Sequence, residues 1–80
     1  MDTREQSGSF ARAMARAVSL HLDGKTKEAL IELDNAVTNG ADMAEIHSAR
    51  GHVQFELEMY DEAVQSYQRL AVLLGHCDAP

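Results

Sequence analysis

The sequence predicts an all-α protein built from two helical hairpins, and three observations support that prediction. Only 5 glycines, 1 proline and 5% aromatic residues occur among the 80 residues, which favours helix over sheet. Apolar residues recur at three- and four-residue intervals, the spacing that places them on one face of a helix. These apolar stripes return with a period of about 34 residues, which indicates a repeated structural unit. We therefore expect a single domain at residues 9–75, flanked by flexible segments at residues 1–8 and 76–80.

The first hairpin is predicted at about residues 9–40. Helix one should run to residue 22, and Gly24 should end it because glycine tolerates the left-handed conformation just past a helix. Helix two should begin at Thr26, whose hydroxyl is typical of an N-cap, and should end near Gly40. Its apolar stripe consists of Ala29, Leu30, Leu33, Ala36 and Val37.

The second hairpin is predicted at about residues 42–75. Asp42, with a glutamate three residues later, is a variant of the capping box that opens many helices, so helix three should begin here and reach about residue 58. Helix four should begin near Tyr60 and close at Gly75. Its apolar stripe repeats the stripe of helix two 34 residues later, at Ala63, Val64, Tyr67, Leu70 and Ala71.

With this period and with small residues at matching positions, the chain resembles the tetratricopeptide repeat family, whose unit is a helical hairpin of about 34 residues. The similarity is clearest over residues 51–70, where Met59-Tyr60-Asp61-Glu62-Ala63-Val64 precedes Tyr67-Gln68-Arg69. The family's small residues at the helix crossing correspond to Ala17, Ala29, Gly51 and Ala63. The large side chains usual in the family's first helices are replaced at Ala13, Arg16, His47, Arg50 and Gln54. Two interpretations are open, divergent repeats or hairpins that only share a period, and we favour divergence.

The resemblance implies a short right-handed solenoid whose first helices line a concave groove that binds a peptide or protein segment. The groove positions implied in this chain are Met14, Val18, His21, Leu22, Glu45, Ser48, His52, Phe55 and Glu56. The basic clamp of chaperone-binding members is missing, since its positions hold Met14, Val18, Glu45 and Ala49. Methionine adapts to varied apolar partners and glutamate attracts cations, so we expect an apolar partner that carries a basic residue. The alternative is that these are solvent-side residues of an inert hairpin.

A second predicted surface lies at the end of helix four. Five consecutive apolar residues at positions 70–74 surround the helix instead of lying on one face. Repeat arrays usually contain at least three units and end in a polar capping helix. We therefore expect either a homo-oligomer or a part of a longer repeat array, with a marginal monomer as the alternative. The residues predicted for self-association are Leu70, Val72, Leu73 and Leu74.

Other functional classes are not favoured by the sequence. The formal net charge of -6 disfavours nucleic acid and anionic membranes as partners, and no apolar run is long enough to cross a membrane. The single cysteine, Cys77, cannot form an internal disulfide, which is typical of a cytoplasmic protein. We see no catalytic constellation and predict that the chain is not an enzyme.

We also predict neither a metal ion nor a cofactor. His47 and His52 point to different faces of a helix, whereas His52 and Glu56 share a face at a spacing of four residues. His76 and Cys77 add two soft ligands in the tail, but no group of these residues supplies the three or four ligands of a zinc site. For Arg16 and Arg50 near the helix crossing, we expect ion pairs with carboxylates such as Asp61 or Glu62.

Overall fold

The computed structural model describes residues 3–75, with side chains from Phe10 onward. These residues form four α-helices and no strand, so the predicted all-α class is confirmed. The helices are α1 (Thr3–Leu22), α2 (Thr26–Thr38), α3 (Ala44–Glu56) and α4 (Tyr60–Leu73). Connections of three, five and three residues join them, and each helix packs on the next one in the chain. Connections this short make consecutive helices antiparallel. The predicted tail at residues 76–80, with His76 and Cys77, lies outside the described residues.

Helix α1 begins at Thr3, about six residues before the predicted start at residue 9. Threonine, arginine, glutamate and glutamine are all tolerated in helices. Their polar side chains give no apolar stripe, however, so periodicity could not detect this first part of α1. Helix α3 ends at Glu56, two residues before the predicted end, whereas α4 begins at Tyr60 as predicted.

Both predicted helix caps are wrong. Thr26 is already the first residue of α2, and the N-cap is Lys25, which makes no side-chain capping bond. The N-cap of α3 is Met43, also without a side-chain capping bond. Asp42 lies one residue too early to cap the helix, and its carboxylate binds His47 and Arg69 instead.

The core lies between α1, α2 and α3. Leu33 and Ile46 are its largest fully buried side chains, and small residues around them let the helices approach closely. Helix α4 adds little to this core. The buried cluster consists of Ala17, Ala29, Leu30, Leu33, Ala36, Ala41, Ile46 and Val53.

The contact between α3 and α4 is close at the Gly51 position. A Cβ atom built on Gly51 would lie 3.0 Å from two carbon atoms of the Tyr67 ring. A larger residue here would require the Tyr67 ring to shift by a few tenths of an ångström, so glycine is favoured at this position by its small size and not by its φ, which is not positive. The resemblance implies a small residue near a helix crossing at this position, and Gly51 lies at the contact between α3 and α4.

The turn inside each hairpin repeats at the period of the sequence. Gly24 has a φ of 81°, and its amide donates to the carbonyl of His21 over 3.0 Å. Glu58, the equivalent residue of the second hairpin, has a φ of 64°, and its amide donates to the carbonyl of Phe55 over 3.0 Å. In both turns the next amide donates to the carbonyl five residues before it, over 2.8 Å. The period seen in the sequence is thus also a period of backbone conformation.

Candidate binding groove and exposed helix edge

Helices α1 and α3 line a groove that contains two clefts. Leu33 of α2 lies at the bottom of the first cleft, which is mainly apolar. The first cleft is lined by Ala17, Val18, His21, Leu33, Ala49, His52 and Val53. The second cleft is lined by Phe10, Ala11, Met14, Met43, Glu45 and Ile46. We call these two clefts together the α1/α3 groove.

The structure brings five of the nine predicted groove residues to these clefts: Met14, Val18, His21, Glu45 and His52. The other four line neither cleft. Leu22 and Ser48 are exposed. The ring of Phe55 packs edge-on against Tyr60 of α4, with ring centroids 5.3 Å apart. Glu56 contacts two of the groove histidines.

Those contacts form a compact cluster at one end of the groove. Nε2 of His52 lies 3.1 Å from Oε2 of Glu56, one helical turn further along α3. Nε2 of His21, from the last turn of α1, lies 3.6 Å from Oε1 of the same carboxylate. The two imidazole rings meet edge-on with centroids 5.4 Å apart. The cluster therefore joins α1 to α3 through polar side chains.

A second polar cluster, which the sequence did not predict, joins the α2–α3 connection to α4. Nε of Arg69 donates to Oδ1 of Asp42 over 2.8 Å, and its terminal nitrogen binds the second carboxylate oxygen. Nε2 of His47 donates to Oδ1 of Asp42 over 2.9 Å. The bond from Arg69, and after it the bond from His47, hold the pKa of the Asp42 carboxyl well below its usual range. The same contact raises the pKa of Arg69.

The arginines near the helix crossing have structural partners, but not the predicted ones. Nε of Arg50 donates to Oδ1 of Asp34 over 2.7 Å, and Arg16 lies 3.3 Å from Glu32. Both partners belong to α2, so the expectation of Asp61 or Glu62 is wrong. The predicted partners lie at the start of α4. Arg16 on α1 and Arg50 on α3 instead both reach carboxylates of α2.

Helix α4 exposes residues whose counterparts in α2 are buried. Leu30 and Leu33 are 8% and 0% exposed, whereas their equivalents in the second hairpin, Val64 and Tyr67, are 52% and 40% exposed. The difference arises because α2 packs against both α1 and α3, whereas among the described residues α4 packs substantially only on α3. The predicted self-association residues lie at this end of the chain, with Leu70 half-buried and Val72, Leu73 and Leu74 exposed.

Comparison of the chain with protein-family models, with curated proteins and with solved structures found no match. The resemblance to tetratricopeptide repeats therefore depends on the residues quoted from the sequence. Within the described residues, no helix has the length and apolar character needed to cross a membrane. The function has to be argued from the α1/α3 groove and from the exposed face of α4.

Proposed function

We propose that the chain is a non-catalytic, tetratricopeptide-like interaction module that binds an apolar peptide carrying a basic residue in the α1/α3 groove. The observation that carries this proposal is the composition of the groove, with apolar walls and carboxylates near both ends. Val18 and Met14 offer apolar contact, whereas Glu45 lines one cleft and Glu56 lies beside the other. Apolar surface supplies affinity, and the carboxylates select the charge of the partner.

A stacked, right-handed solenoid is part of this proposal. It is supported by the turns at Gly24 and Glu58, which share their backbone bonds, and by the close crossing at Gly51. We propose a cytoplasmic location for the same module, because its single cysteine leaves no internal disulfide.

The groove is tested with a fluorescent peptide of alternating leucine and serine residues that carries one central arginine. Val18→Asp should weaken its binding by at least about tenfold, because a carboxylate would be placed against apolar peptide. Ile31→Asp is the matched control, since Ile31 is an exposed aliphatic residue of α2 that lines neither cleft. Equal affinities of the two variants would contradict the proposal.

The charge preference is tested separately with Glu45→Lys. This change should weaken binding of the arginine peptide and leave a peptide with glutamine at the same position less affected, because only the first peptide carries the opposite charge. The ratio of the two dissociation constants, measured by fluorescence anisotropy, reports the preference. If the ratio does not change between wild type and variant, Glu45 does not select the charge of the peptide.

The second candidate function is self-association through α4. It is favoured by Val64 and Tyr67, which are exposed although their equivalents in the first hairpin are buried. Exposed apolar residues that adjoin each other are typical of contact surfaces. A second copy of the chain, packed on α4 as α3 packs on α2, would cover them.

Analytical ultracentrifugation tests this candidate. Leu73→Glu should convert an assembly into a monomer, whereas Ile31→Glu, at an exposed position on α2, should leave the assembly intact. A wild-type monomer at high concentration would exclude self-association. Peptide binding by the Leu73→Glu monomer would show that the two functions are separable.

A further inference from the structure

We propose that His21, His52 and Glu56 form a binding site for a divalent transition-metal ion, with zinc best matched to the two imidazoles and one carboxylate. One ligand atom from each residue lies within 4.8 Å of the other two. Two histidines and a glutamate are a known donor set for zinc with one coordination position left open. This inference does not depend on peptide binding in the groove.

To bind an ion, the ligand atoms of the three side chains would have to move closer together. Zinc with ligands at about 2.0–2.2 Å in a tetrahedron holds its ligand atoms roughly 3.4 Å apart. The nitrogen of His52 lies 3.1 Å from one oxygen of Glu56, and the nitrogen of His21 lies 3.6 Å from the other oxygen. Each histidine nitrogen is therefore close to the required distance from one oxygen of Glu56 before an ion enters, and a set with one atom from each residue spans no more than 4.8 Å. The remaining movement is a side-chain rotation of a half-buried and an exposed histidine.

The backbone holds two of the ligands in position. His52 and Glu56 are separated by four residues on α3, so both project from the same face of that helix. His21 enters from the last turn of α1, so an ion would bridge two helices that are not consecutive in the chain. Bound metal should therefore stabilise the folded chain, because three ligands in this arrangement exist only after folding.

The surroundings of His21 set the expected affinity. Its Nδ1 is buried and has no hydrogen-bond partner among the described residues. A metal at Nε2 places the ring proton on Nδ1, where tight zinc sites usually provide an acceptor. We therefore expect a dissociation constant in the micromolar range, with one ion bound per chain.

Isothermal titration of the full chain with zinc chloride tests the site, in a background of His76→Ala and Cys77→Ser that removes two other potential ligands. His52→Ala and Glu56→Gln should each weaken binding by at least about 100-fold, because even loss of an outer-shell partner costs about 10- to 100-fold. Glu45→Gln is the matched control on the same helix and should bind zinc as the background does. The absence of saturable binding in the background chain would overturn the proposal.

Thermal unfolding gives the second measurement. Zinc should raise the melting temperature of the background chain and of Glu45→Gln, and should leave that of His52→Ala unchanged. His52 is exposed, so its loss should not unfold the chain, and circular dichroism without metal checks this. Equal zinc-induced shifts in the background chain and in His52→Ala would show that the ion binds elsewhere, and the proposal would be wrong.

Discussion

Replacing Glu58 with glycine should stabilise the protein, because Glu58 occupies a backbone conformation that favours glycine. Its φ of 64° is the only positive value at a non-glycine position among the described residues. In a left-handed conformation the Cβ atom comes too close to the following carbonyl oxygen. The equivalent residue of the first hairpin, Gly24, meets the same requirement with no Cβ atom.

The expected gain follows from two opposing effects. A non-glycine residue in the left-handed conformation costs about 1–2 kcal/mol. Glycine loses more backbone freedom on folding, which costs roughly 0.5–1 kcal/mol. The side chain of Glu58 is exposed, so its removal should cost little. We expect Glu58→Gly to raise the free energy of unfolding by about 0.5–1 kcal/mol, or the melting temperature by roughly 2–8 °C.

Urea unfolding followed by circular dichroism measures this change, and two other variants act as controls. Gly24→Ala should lower the free energy of unfolding by about 1 kcal/mol, and no atom beyond the adjoining residues lies within 4 Å of the added Cβ to obscure the result. Glu62→Gly, within the first turn of α4, should also be destabilising, by up to about 1 kcal/mol. If Glu58→Gly destabilises the protein as Glu62→Gly does, the proposed origin of the strain is wrong.

Three further predictions concern the core and the polar clusters. Leu33→Ala should lower the free energy of unfolding by about 2–5 kcal/mol in urea titrations, since the side chain is fully buried; a loss below about 1 kcal/mol would contradict this packing. Arg69 lowers the pKa of Asp42. The ion pair therefore contributes fully to the free energy of unfolding above the ordinary carboxyl pKa of about 4, and this contribution is lost as pH falls below it. The melting temperature of Asp42→Asn should therefore fall less steeply below about pH 4 than that of wild type, and parallel curves would refute the linkage. Ser66 donates to Gln54 over 2.6 Å in a buried bond, so Ser66→Ala alone should cost about 1–3 kcal/mol, whereas Ser66→Ala with Gln54→Leu should cost less in a double-mutant cycle.

The sequence predicted the features that depend on local spacing. Apolar periodicity located all four helices, and glycine at position 24 indicated the left-handed turn that the structure contains. The resemblance implied a small residue at position 51 near a helix crossing, and the structure has Gly51 against the ring of Tyr67 there. These features follow from neighbours a few residues apart or from direct duplication, so they can be identified without coordinates.

Features that depend on distant partners were missed. Asp42 has the spacing of a helix cap, but Arg69, far along the chain on α4, offers it a bidentate bond. The guanidinium donates to both carboxylate oxygens at once and carries the opposite charge, which a single backbone amide at a helix start does not offer. His21 was predicted for the groove and His52 with Glu56 for a shared helix face, yet their convergence required the packing of α1 beside α3. Spacing along one helix cannot reveal a ligand that arrives from another.

Because α2 and α4 are buried to different extents, the stabilisation that a further packed helix contributes can be measured within this one molecule. Leu33 and Tyr67 occupy equivalent positions in duplicated hairpins, but only Leu33 is enclosed on all sides. With Tyr67→Leu as the reference for the second position, truncation of leucine to alanine removes the same side chain from equivalent positions of the two hairpins. The difference between the two losses in free energy of unfolding estimates what packing against a second helix contributes at this position. Both values come from one chain under one set of conditions. Any partner that settles on α4 should make that difference smaller.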